Sequence, residues 1–138
     1  MKFSLIFTSI VALLTSVHSQ ESQQQVNVNV IYADGGKLLS DSGMTTALSF
    51  TASDYSERLG DITNFPNLGG GPNVGSSPIC VAITYPTDGQ VINVLFINNA
   101  AKSEISPQAM SSLVGNGIND TFILADLIEV VPAQCQYP

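Results

Sequence analysis

Residues 62–72 read Ile-Thr-Asn-Phe-Pro-Asn-Leu-Gly-Gly-Gly-Pro, and what this stretch does decides the fold. Three glycines follow an apolar residue, and a proline closes the run. A phosphate-cradling loop needs Gly-x4-Gly-Lys-Ser/Thr, and no lysine follows here. A dinucleotide fingerprint sets its glycines between a strand and a helix, whereas Gly69-Gly70-Gly71 leads into Pro72. The stretch is too polar for a strand. The expectation is a structural loop whose meaning depends on its neighbours.

Far upstream, Met1-Lys2 is a short basic start and Phe3 to Val17 an apolar run broken by Ser and Thr. Val17-His18-Ser19 places branched or small residues at −3 and −1 before Gln20. Residues 1–19 therefore read as a secretory signal peptide cleaved after Ser19. The rival, a membrane anchor, needs a longer apolar run. Residues 20–25 (Gln-Glu-Ser-Gln-Gln-Gln) read as a flexible polar leader, and residues 26–138 as one domain.

Beyond Ser19, the basic residues Lys37, Arg58 and Lys102 face all eleven acidic residues of the chain. This balance gives no footprint for nucleic acid and disfavours anionic membranes. The only histidine is His18, so a mature chain has no Ser-His-Asp or Cys-His arrangement and no histidine-bearing zinc site. No metal or cofactor is expected. There is no tryptophan, and charged residues make up 11% of the chain, against about 25% in average proteins. The surface is thus largely neutral and polar. Cys80 and Cys135 are the only cysteines, and in a secreted chain an isolated pair reads as a disulfide rather than two reactive thiols.

Val26-Asn-Val-Asn-Val-Ile-Tyr32 alternates with period two and reads as a strand, stopped by Asp34-Gly35-Gly36. In the mixed segment 37–61, Ser53 or Asp54 is positioned to cap a short helix through Arg58, with Glu57 at capping-box spacing. Cys80 to Tyr85, the turn Pro86-Thr-Asp-Gly89 and Gln90 to Ile97 form a hairpin. Its return strand is apolar enough to be covered on both faces. Ser106 caps a helix with Pro107 at its first position and Gly115 as its stop. Ala109, Met110, Leu113 and Val114 share the helix's packed face. Thr121 to Val131 reads as one long strand or two joined by a bend. Five or six strands, apolar on both faces, argue for a mainly β, closed barrel.

Several segments, in order, resemble the cerato-platanins, small secreted fungal proteins. Asn64-Phe-Pro-Asn-Leu-Gly-Gly70 is similar to that family's Pro-Asn-Phe-Pro-Asn-Ile-Gly-Gly. Ser77-Pro78 and Cys80-Val-Ala-Ile-Thr-Tyr85 resemble its Ser-Pro-x-Cys-Gly-Thr-Cys-Trp-x-Leu-Thr-Tyr. Ile92-Asn-Val-Leu-Phe-Ile-Asn98 resembles Ile-Asn-Val-Leu-Ala-Ile-Asp, and Pro132-Ala-Gln-Cys135 resembles a closing Ala-Pro-x-x-Cys. The resemblance spans nearly all of the chain beyond residue 25. It implies a double-psi β-barrel of about six strands with one or more short helices. It also places Cys80 with Cys135 as the surviving one of two family disulfides. Ala52-Ser53-Asp54 stands where the family has Cys-Ser-Asp, so this is an atypical two-cysteine member. Val81 replaces the family tryptophan and Asn98 the family acid.

The resemblance further implies a secreted, non-catalytic protein of the cell wall or culture fluid. Its expected partners are chitin-type or glucan oligosaccharides, bound weakly, a host-plant receptor in an effector or elicitor role, and further copies of itself. Asn98 and Asn99 leave a buried strand beside the implied groove, with Asp54 as a retained acid and Tyr32, Tyr85 or Phe65 as flat apolar faces. The competing reading has Asn98 and Asn99 simply turning the chain. A surface-active, self-assembling protein is the alternative, since low charge and apolar strands suit an interface. A weak polysaccharide hydrolase is less favoured, because glycoside hydrolysis uses two flanking carboxyls. Asp34, Asp54 and Asp61 sit in turn contexts, while Asp126 lies inside an apolar strand. Asn119-Asp-Thr121 is an N-glycosylation sequon.

Overall fold

The computed structural model describes residues 23–38, 58–62, 64–75, 77–115 and 122–136. The expected signal peptide, Asp54, the Asn119 sequon and all of the expected helix through Arg58 except Arg58 itself, which is extended, lie outside the described residues. Six strands, β1 (Gln23–Val28), β2 (Leu68–Gly71), β3 (Ile79–Tyr85), β4 (Gln90–Asn99), β5 (Ser103–Ile105) and β6 (Phe122–Val130), are joined by helix α1 (Pro107–Val114). They close in the order β1-β5-β2-β4-β3-β6. The β1–β5 and β2–β4 pairs are parallel and the rest antiparallel. The molecule is the expected mainly β, double-psi barrel, and closure leaves no strand edge unpaired.

The glycine stretch corrects the expectation of a loop. Leu68–Gly71 is fully buried and lies between β4 and β5. Its neighbours come too close for side chains. A Cβ on Gly69 would stand 2.4 Å from the Glu104 carbonyl oxygen, and one on Gly70 would stand 2.5 Å from the Tyr32 hydroxyl. On Gly71 it would meet the Phe96 ring at 2.8 Å. The strand lacks side-chain hydrophobicity because no side chain fits, so hydrophobic patterning could not reveal it. A register shift between Gly69 and Gly70 lets Gly70 pair with Asn98, skipping Ile97. Polar groups fix both ends: Leu95 N–H donates to the Asn67 carbonyl at 3.0 Å, and Ala100 N–H to the Gly71 carbonyl at 3.0 Å.

The first strand also differs from expectation. Gln23 to Gln25, assigned to a flexible leader, pair with Asp126, Ala125 and Leu124 of β6. The strand then stops at Val28, because Asn29 accepts the Ile31 N–H on its side chain and starts a 3₁₀ turn over Val30–Tyr32. That turn carries Tyr32 inward, where it is fully buried.

The hairpin and the helix form as read. Gly89 takes φ 73° at the hairpin turn, a left-handed value suited to glycine. The Ser106 hydroxyl accepts from Ala109 N–H at 3.0 Å and donates to the Pro66 carbonyl at 2.6 Å. One side chain therefore caps α1 and anchors the approach to β2. Ala109, Met110 and Leu113 are buried as α1 packs over β4, which explains why Val94 to Ile97 are buried without alternation. Inside the barrel, Val26, Leu68, Ile83, Ile105, Ile123 and Ala125 join the same core.

Cys80 and Cys135 are bonded, with a sequence separation of 55. The bridge ties β3 to the 3₁₀ turn Pro132–Cys135. In the chain-entropy model a loop of this length stabilises the fold by about 4 kcal/mol. The paired Cys80→Ala/Cys135→Ala variant should lose roughly that much in denaturant unfolding, with a larger m value because the unbridged unfolded chain exposes more surface. Gly70→Ala should cost about 1–3 kcal/mol or prevent folding. Alanine at the exposed Gly36 should be nearly silent in the same assay.

Candidate functional site

The two ends of the glycine strand and the start of β5 enclose a polar cluster. Its centre is Glu104, the middle residue of β5, opposite Asn27 of β1 and Gly70 of β2. The Tyr32 hydroxyl donates to Glu104 Oε1 at 2.6 Å, and Asn29 Nδ2 donates to Oε2 at 3.0 Å. Asn98 Nδ2 donates to the Tyr32 hydroxyl oxygen over a long 3.5 Å. Each carboxylate oxygen thus has one fixed donor, and the tyrosine both gives and receives. Asn98 is only 5% exposed, yet its Oδ1 has no hydrogen-bond partner. A buried acceptor left unpaired costs about 1–3 kcal/mol, so this amide is a place where a donor would be welcome.

Burial raises the Tyr32 hydroxyl well above its ordinary value of 10.0, and the Glu104 hydrogen bond and charge add to this, while Asn98 offsets part of it. The phenol therefore keeps its proton and remains a donor throughout the range in which proteins work. Glu104 is half-buried, and among the described residues no lysine or arginine pairs with it. A shallow surface depression lies elsewhere, lined by Glu129, Val130, Val131, Pro132 and Gln134, and shares no residue with the cluster.

The residues singled out from sequence divide sharply. Tyr32 and Asn98 come together, but neither as expected: Tyr32 is 0% exposed and cannot offer a stacking face, so its hydroxyl is the working part. Asn99 turns the chain. Its Nδ2 donates to the Gly75 carbonyl at 2.8 Å and its Oδ1 accepts the Gly75 N–H at 3.2 Å. Tyr85 lies at the hairpin end, paired with Gln90, about 27 Å of strand away from Asn98. It is not part of the cluster. Phe65 lies against the turn that follows Tyr32, its Cζ 3.0 Å from where a Gly35 Cβ would stand.

Sequence reasoning missed Glu104 and Asn29. The signal for Glu104 was a lone acid between Ser103 and Ile105, in a segment too short to show alternation. For Asn29 it was an asparagine on the wet face of an apparent strand, which caps the 3₁₀ turn as well. Glu104 and Asn98 thus meet at one tyrosine hydroxyl.

That shared contact predicts antagonism between acids at the two positions. Asn98→Asp would place two carboxylates on one phenol, so burial and like charge would raise the new group's pKa in the folded state. Such a group is harmless below its unfolded value of about 4 and destabilises progressively as pH rises through its raised folded value. The variant should match the parent in acid and lose about 2 kcal/mol at neutral pH. Adding Glu104→Gln should restore much of that loss in a double-mutant cycle, and equal pH profiles for parent and Asn98→Asp would contradict it.

No family model matches the sequence, and no curated protein matches it. Solved structures do. Cerato-platanin 2 of M. perniciosa superposes with a TM-score of 0.67 at 20% identity, covering 83% of this chain and 98% of that one. Cerato-platanin 1 of M. perniciosa gives 0.68 at 18% identity, covering 82% and 99%. The solution structure of the fungal elicitor cerato-platanin gives 0.59 at 22% identity, covering 80% and 95%. The barrel order, the parallel pairs and these superpositions agree: the chain has the cerato-platanin fold.

Proposed function

We propose that this chain is a divergent cerato-platanin, a secreted, non-catalytic protein of the fungal wall and its surroundings that binds chitin-type or glucan oligosaccharides. The observation that carries this reading is the Tyr32–Glu104–Asn98–Asn29 cluster on a barrel of that fold. It offers oriented acceptors and amide groups, which suit the hydroxyls of a neutral sugar. Without tryptophan, and with Tyr32 buried, no stacking platform belongs to the cluster among the described residues, in keeping with weak affinity. Perception by a host-plant receptor, in an elicitor or effector role, is the wider setting that the fold relatives suggest.

Hydrolysis is disfavoured by the same geometry. Among the described residues the cluster holds one carboxylate, whereas glycoside cleavage uses a pair. Its tyrosine is kept protonated and hydrogen-bonded.

A second reading rests on a separate surface. Along β6, Phe122, Leu124 and Ile128 are 47–56% exposed, with Asp126 between the last two, and Val131 beyond the strand is 62% and Val91 of β4 51% exposed. Inward-facing Ile123 and Ala125 alternate with them. An apolar row on a protein with so few charges fits a film at an air–water or wall interface, with self-association there.

Titration of isotope-labelled protein with chitin oligosaccharides distinguishes the two. Saccharide binding should shift the amide signals of Asn29, Asn98 and Glu104 and leave Phe122 to Ile128 unmoved. Unmoved signals throughout, with a fall in surface tension that Leu124→Ser and Ile128→Ser abolish, would replace the first reading with the second.

A further inference from the structure

Resting on the saccharide reading, we infer that the Glu104 cluster selects sugars bearing a free amine, the partly deacetylated glucosamine units of a chitosan-type chain, over fully N-acetylated ones. Three observations lead there. The first is that Glu104 is a half-exposed carboxylate with no cationic partner among the described residues. Tyr32 and Asn29 each take one acceptor position, and a carboxylate has about four. The remaining positions are held in place, charged and unused.

The second is the Asn98 amide. Its Nδ2 is committed to Tyr32, while its Oδ1 is an unpaired acceptor. The cluster therefore has a surplus of acceptors. An ammonium group brings three donors and no acceptor, whereas an N-acetyl group brings one donor and a carbonyl that would confront oxygen with oxygen.

The third is the field around the site. The chain carries a formal net charge of −7, with only four lysines and arginines in all. Lys102, two residues from Glu104, is exposed and makes no ion pair with it. A cationic sugar is attracted over distances of about a Debye length, and a neutral one is not. A hydrogen bond to a charged group is stronger than its neutral counterpart, so the preference is set at Glu104.

The test compares glucosamine oligomers with the same oligomers re-acetylated, at mildly acidic pH where the amine is charged, using calorimetry on the whole mature protein. The free-amine oligomer should bind about tenfold tighter or more, and this advantage should shrink as salt rises. Glu104→Gln should erase the preference, so that the two oligomers bind with equal affinity. Asp88→Asn, which removes one charge from the distant hairpin turn, should keep the preference. Equal affinities in the parent protein, or an equal loss in Asp88→Asn and Glu104→Gln, overturn the inference and leave the saccharide reading standing. Absence of binding to either oligomer overturns both. The parent comparison needs no variant, so a misfolded Glu104→Gln cannot obscure the outcome.

Discussion

Close backbone approach at Gly69, Gly70 and Gly71 is the constraint on which everything else in this molecule depends. A buried strand usually contributes apolar side chains to the core. This one contributes their absence, and its neighbours fill the space. Phe96 lies where a Gly71 side chain would be, Tyr32 where a Gly70 side chain would be, and the β5 backbone against Gly69. The barrel closes at this diameter because one stave is thin. The same thinness lets a phenol pass deep enough to meet a carboxylate on the adjoining strand.

Around that stave, polar groups do the positioning. Ser106 joins the helix cap to the entry of the glycine strand. Asn64 joins the loop before it to both Asn67 and Asn93 through carbonyl acceptors at 2.7 and 3.2 Å. Asn99 holds Gly75 on the far side. Among the described residues, these amides and hydroxyls rather than salt bridges tie the elements together. They are directional and little affected by salt.

What the sequence made legible follows from how far each signal reaches. The β3–β4 hairpin, the capped helix and the disulfide rest on local chemistry: Gly89 at a left-handed turn, Ser106 before Pro107, two cysteines and no others. β2 and β5 do not. Leu68–Gly71 is a strand only because β4 and β5 flank it, and Ser103–Ile105 is three residues long with Glu104 at its centre. The site inherits that obscurity. Tyr32 and Asn98 were identifiable as polar residues ending apolar runs. Their true partner lay in a segment with no periodicity to read, and Tyr32 was assigned a stacking role that full burial denies it. Resemblance to a family indicated the barrel, and packing then located the carboxylate on a different strand from the one the resemblance suggested.

The pairing of the first strand has a consequence for how the chain acquires its shape. β1 emerges first in synthesis, yet its two neighbours, β5 and β6, are among the last segments made. Neither neighbour can substitute for the other, because one runs parallel to β1 and the other antiparallel. The barrel thus cannot close stave by stave as it is made. The β3–β4 hairpin can form early, while the N-terminal strand waits unpaired until almost the whole chain is available, a topology that favours slow folding. During that interval the end of β1, Gln23-Gln24-Gln25, carries neither the charge nor the proline that blunts an open strand edge, and glutamine amides pair readily between chains. The glutamine run, unremarkable in the finished barrel, is the edge most open to wrong pairing before the barrel exists.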